Sequence, residues 1–214
     1  MSHQHLSNAP QLSASDRTRL VGRARLLARV SVGYNIVEAL TAIAAGLVAG
    51  SVALVGFGLD SVVEVSSGLI VLWQFRHRVP ENRERQALRM MAWSFFVLAV
   101  YVAFESLRAL FGSGEAAPSP TGIGLAVASM VIMPFLSWAQ RSTGRTLGSD
   151  TVVADSTQTQ LCAYLSAVLL AGLVLNATLG WDWADPVAGL IIAAVAIREG
   201  RQAWRGKACT CMPA

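Results

Sequence analysis

From Val52 to Phe75 the chain reads VALVGFGLDSVVEVSSGLIVLWQF, with Asp60 and Glu64 as its only charges. A helix of that length crosses a hydrocarbon layer of ~30 Å. A carboxylate at bilayer depth costs a few kcal/mol even on the most lenient insertion scale, about 2.5–3.5, so it marks an ion or proton pathway. A spacing of four sets both acids on one helical face, one turn apart. Comparable apolar runs recur, giving six spans at about 28–48, 52–75, 90–111, 121–139, 151–176 and 184–200. The last is short and leans on Trp181 and Trp183 as interfacial anchors. With 54% hydrophobic and 14% charged residues, little polar sequence remains to clothe a large soluble core. The expected fold is an all-α membrane protein of six transmembrane helices.

The basic residues then set an orientation. Arg17, Arg19, Arg23, Arg25 and Arg29 precede the first span, and Arg76, Arg78, Arg83, Arg85 and Arg89 separate the second from the third. Arg141 and Arg145 lie between the fourth and fifth, while Arg198, Arg201, Arg205 and Lys207 close the last. Six alternating spans put all of these on one side, so the positive-inside rule places both termini in the cytoplasm, with the chain in the plasma (inner) membrane. The net charge of +4 is thus topology and not a nucleic-acid footprint. The reading divides the chain into a flexible cytoplasmic leader (1–26), a six-helix transport domain (27–201) and a short cytoplasmic tail (202–214). Three cysteines, one of them mid-membrane, make no disulfide framework.

A weak internal repeat organises the spans. Aligning Gly50-Ser51 with Gly148-Ser149, an offset of 98 residues, brings Asp60 onto Gln158 and Glu64 onto Cys162. The second and fifth spans run in opposite directions, which makes the halves inverted three-helix repeats, a construction that places transport sites near the midplane. Glu64 and Cys162 each lie roughly 18 Å into their spans from opposite ends. Elsewhere, Pro80 marks a turn in the polar segment 76–89, Asp185-Pro186 reads as the start of the sixth helix, and Pro134 as a kink in the fourth.

Asp60 and Glu64 offer hard oxygen ligands, Cys162 a soft thiolate and Gln158 an amide oxygen; Asp155 shares their face of the fifth span. A mixed oxygen and sulfur set suits Zn²⁺ as cargo, and thiolate also admits Cd²⁺, Co²⁺ or Cu⁺, with Fe²⁺ and Mn²⁺ as further candidates. Ligands must be deprotonated to bind, so metal arrival releases protons. No permanently bound cofactor is expected. Each residue also has a plainer reading: Asp155 is a ligand or a gate, Cys162 a ligand or an apolar filler, Gln158 a ligand or a helix-interface hydrogen-bonder. Glu38, near mid-depth with Asn35 three residues before it, is a proton relay, a support for the ligands, or a protonated acid bonded to another helix. Glu105 and Arg108 read as a structural ion pair.

AGSVALVGFGLDSVVE (49–64), SDTVVADSTQTQLC (149–162) and WADPVAGLIIA (183–193) resemble the second, fifth and sixth membrane helices of the cation diffusion facilitators, the cation-efflux family of metal antiporters. The resemblance implies that Asp60 and Glu64 stand on that family's second-helix ligands, Glu64 replacing the usual Asp. It also implies that Gln158 and Cys162 stand where fifth-helix His and Asp ligands belong, and that Asp155 matches an acid just ahead of them. Family members typically continue into a cytoplasmic metal-sensing domain, for which the tail leaves no room; a homodimer would then be held by membrane helices alone. The expectation is a secondary transporter, not an enzyme, exporting a divalent transition metal, foremost zinc, by proton antiport. Its alternative is a membrane metal-binding or regulatory protein without transport.

Overall fold

The structure is a computed structural model that describes residues 13–74, 81–112 and 116–205. Six helices make up its regular structure: α1 (Ala14–Ala49), α2 (Val52–Gln74), α3 (Glu81–Phe111), α4 (Pro120–Leu147), α5 (Asp150–Leu179) and α6 (Ala184–Trp204). Five are long and apolar enough to cross a membrane. The sixth has Asp185 at one end and Arg198, Glu199 and Arg201 at the other, which shortens its apolar stretch.

Two segments are more helical than the sequence reading held. Helix α1 begins at Ala14, inside the supposed leader, because Ser13 accepts a hydrogen bond from the Asp16 amide at 3.1 Å and caps it. Helix α3 begins at Glu81, so most of the polar segment 76–89 continues the helix; Glu, Arg, Gln, Ala and Leu there are good helix formers. Residues 75–80, with Pro80, lie outside the described residues, as do the outer parts of leader and tail. Helix α4 runs through Pro134 without a break in its assignment.

The repeat has a physical counterpart in two turns. Gly50 and Gly148 adopt φ of 67° and 65°, the left-handed region open to glycine at low cost. Beyond them the Ser51 amide donates to the Gly46 carbonyl at 3.0 Å, and the Ser149 amide to the Gly144 carbonyl at 2.9 Å. Each inner glycine also lets the next helix approach: a Cβ on Gly46 would meet Val55, and one on Gly144 would meet Val152 and Val153. Helix α1 consequently lies along α2, and α4 along α5, while α3 pairs with α6. At one end of this last pair Trp93 packs edge-on against Trp204, with the Arg89 guanidinium over the Trp204 ring.

Helix α2 is the hub, touching α1, α3, α5 and α6. In its apolar span 61% of residues are buried, against 28% in α3. The outward faces carry large apolar side chains such as Leu40, Leu47, Val97, Phe104 and Phe135. Inside, beside an apolar cluster around Leu54, Phe57, Met133, Leu169 and Ile192, sit Glu38, Ser61, Glu64, Ser129, Gln140, Asp155 and Thr159. An apolar exterior around a polar interior fits a chain solvated by lipid, where polar groups turn toward one another.

Candidate metal site

The helical spacing of Asp60 and Glu64 sets both acids on the side of α2 that faces α5 and α6. A small cleft there is lined by Asp60, Glu64 and Gln158, by Glu199 of α6, and by apolar walls including Phe95 and Leu161. Glu64 is 5% exposed, and among the described residues neither carboxylate oxygen has a hydrogen-bond partner. Thr159 of α5 lies close to it, but the Thr159 hydroxyl donates to the Asp155 carbonyl at 3.2 Å. A buried carboxyl left bare carries a desolvation penalty that no hydrogen bond from the described residues offsets.

On its other side Glu64 meets α1 and α5. One ligand atom each from Glu38, Glu64 and Cys162 lies within 4.8 Å of the others, and all three residues are buried. Glu38 is held firmly: Ser61 Oγ donates to Oε2 at 2.8 Å, Cys162 Sγ donates to the same oxygen at 3.7 Å, and Ser129 Oγ donates to Oε1. Tyr34 O–H lies 2.8 Å from Ser129 Oγ and, since that hydroxyl is committed to Glu38, acts as the donor.

The other candidates fall elsewhere. Asp155 lines neither the cleft nor this trio; its Oδ1 accepts from Ser67 Oγ at 3.0 Å and its Oδ2 from Gln140 Nε2 at 2.9 Å. It ties α5 to α2 and α4, each oxygen accepting one of these hydrogen bonds. Asn35 donates weakly to Ser31 Oγ at 3.4 Å, and its Oδ1 has no partner. Glu105 and Arg108 pair at 3.3 Å, with Arg108 largely exposed. Asp185 does not cap its own helix: Ser51 Oγ donates to its Oδ1 at 2.5 Å and the Ala53 amide to its Oδ2 at 3.4 Å, so it caps α2 from α6.

Sequence reasoning passed over Glu199, Ser61, Ser129 and Tyr34. Glu199 lies among Arg198 and Arg201 and reads as an interfacial charge. Ser129 did carry a signal, because it stands 98 residues after Ser31, the offset of the repeat.

A bundle with lipid-compatible outer faces and a polar, acid-bearing centre shared by its two halves defines a polytopic membrane protein of transporter type. A family model, the cation efflux transmembrane domain, matches residues 90–205, and the chain belongs to that family. Members of the family are transporters, not enzymes. Among relatives, metal tolerance protein C1 of Arabidopsis thaliana is 26% identical over 82% of this chain and 42% of its own length. The cadmium, cobalt and zinc/H(+)-K(+) antiporter of Bacillus subtilis is 22% identical over 78% of this chain and 56% of its own. An uncharacterised transporter of Synechocystis is 24% identical over 78% and 57%. The chain thus spans about half the length of the curated relatives it matches.

Proposed function

We propose that this chain forms the transport path of a metal exporter, moving a divalent transition metal, zinc foremost, out of the cytoplasm in exchange for protons. The observation that carries the reading is Glu64: two buried carboxylate oxygens without hydrogen-bond partners among the described residues, opening on a cleft shared with Asp60 and Gln158. A cation is a natural occupant of such a position, since a metal ion can take the place of the proton that neutralises a buried carboxylate. Asp60 and Glu64 supply oxygens, Cys162 sulfur, and Gln158 a neutral oxygen at the cleft wall. Asp155, which lines neither the cleft nor the trio and bonds Ser67 and Gln140, serves better as a latch between α2, α4 and α5 than as a ligand.

Protons held by the empty site leave when metal arrives, and return when it departs on the other side. Rocking of the two halves would expose the site alternately to the two sides. The arginine distribution favours cytoplasmic termini and a plasma-membrane location. The Bacillus relative's name, which couples cadmium, cobalt and zinc to protons and potassium, supports both the metal class and the exchange. A homodimer joined through membrane helices fits the same reading.

The test is reconstitution in liposomes enclosing a pH-sensitive dye. An imposed zinc gradient should drive proton movement in the opposite direction, and Asp60→Ala should abolish it. Zinc binding without proton flux, or flux indifferent to Asp60→Ala, would refute the proposal.

A further inference from the structure

We infer that Glu38 of α1 ligates the transported cation directly, forming with Glu64 and Cys162 a three-helix site that prefers borderline and soft divalent ions over hard ones. The inference rests on the transport reading above and deepens it: the second and fifth helices do not complete the site alone.

Distance is the first argument. With Zn–S of about 2.3 Å and Zn–O of about 2.1 Å, a tetrahedral ion holds sulfur and oxygen roughly 3.6 Å apart. Cys162 Sγ and Glu38 Oε2 stand 3.7 Å apart. The thiol proton lies on that line, and a metal taking the place between the two atoms would displace it. Glu64 then needs only a small side-chain adjustment, because its ligand atom is already within 4.8 Å of the other two.

Occupancy is the second. Among the described residues Glu64 has no hydrogen-bond partner to surrender. Glu38 has several, yet they hold it in place without exhausting it. Each carboxylate oxygen has two lone pairs, and hydroxyls that donate to a ligating carboxylate orient it for the metal. Ser61, Ser129 and, through Ser129, Tyr34 act in this way from α2, α4 and α1.

Charge is the third. At the offset of the repeat, α5 presents Gln158 and Cys162 where α2 presents Asp60 and Glu64, so the fifth helix brings no carboxylate to the trio. Glu38 supplies the missing anion from α1. Two carboxylates and a thiolate suit zinc or cadmium, whereas Mg²⁺ demands an octahedron of oxygens. Glu38, Glu64 and Cys162 fill three tetrahedral positions, and the fourth is left to an oxygen from the adjoining cleft, where Asp60 and Gln158 stand, or to water.

The probe is Co²⁺ titrated into the purified, metal-free full chain in detergent, read by visible and near-ultraviolet absorption, with Cd²⁺ competing and Mg²⁺ as the hard control. The unaltered chain should show a thiolate-to-cobalt charge-transfer band, erased by Cd²⁺ and by Cys162→Ser but not by Mg²⁺. Glu38→Gln keeps the length of the side chain and one oxygen, which can accept from Ser61 or from Ser129, but loses the charge. It should weaken Co²⁺ binding by more than about a hundredfold, beyond the range for groups that merely support ligands, and alter the visible bands. A smaller loss with those bands unchanged overturns the inference. If Glu38→Gln is not monodisperse, Glu38→Asp decides by the same two criteria, since retracting the carboxylate by one methylene breaks the contact. Zinc-driven proton flux in the unaltered chain together with normal cobalt binding by the Glu38 variants would reject Glu38 as a ligand and leave the transport reading standing. Absence of both flux and cobalt binding in the unaltered chain would reject both.

Discussion

Replacing Glu64 by leucine should stabilise the metal-free protein, whereas the same replacement at Asp155 should destabilise it. Both are carboxylates on interior faces of the bundle, 5% and 3% exposed. They differ in their partners. Glu64 has no hydrogen-bond partner among the described residues, and an unsatisfied buried polar group costs about 1–3 kcal/mol, which leucine removes. At about 2–4 °C per kcal/mol for a chain of this size, Glu64→Leu should raise the melting temperature by roughly 2–12 °C. At Asp155, leucine would strand Ser67 Oγ and Gln140 Nε2, costing about 1–3 kcal/mol for each donor. The serine hydroxyl can turn back to a carbonyl of its own helix, so the loss should fall in the lower half of that sum, about 2–4 kcal/mol. The assay is thermal melting of the detergent-purified chain with a chelator present, paired with metal transport in liposomes. Glu64→Leu should gain stability and lose transport. A lowered melting temperature for Glu64→Leu, or shifts of the same sign at both positions, would refute the claim that Glu64 is kept bare for an incoming cation.

Other consequences can be measured with similar means. Gly46→Ala should destabilise more than Gly144→Ala, because the new methyl would meet the Val55 backbone nitrogen at 2.8 Å and not just valine side chains at about 3 Å; overpacking of this kind costs about 1–3 kcal/mol, read by the same melts. Asp185→Ala should lower stability by about 1–2 kcal/mol through loss of the α2 cap supplied to Ser51 and Ala53, and Asp185→Asn, which still accepts, should recover part of it. Arg108→Gln should change stability by less than about 1 kcal/mol and leave flux intact, since its partner Glu105 is met at a largely exposed position. Gln158→His should tighten zinc binding, measured by competition with a chelating dye, because an imidazole would replace a weak amide ligand in the cleft.

The amino-acid sequence by itself determined the helical membrane architecture. Long apolar runs leave a chain in lipid no other way to satisfy its backbone, and Gly-Ser pairs 98 residues apart both form left-handed turns with the same hydrogen bond behind them. It also determined that Asp60 and Glu64 share one face of α2, since side-chain direction follows from helical period alone. What each buried polar group meets across the bundle was decided only by the tertiary structure. Asp155 stands at ligand spacing but bonds Ser67 and Gln140; Asp185 precedes a proline like a cap for α6 yet caps α2; Glu38 comes beside Cys162 from 124 residues away. Periodicity fixes the angle at which a side chain leaves its helix. Its partner depends on how the neighbouring helix is rotated and how deep it sits, and those follow from packing summed over the whole bundle.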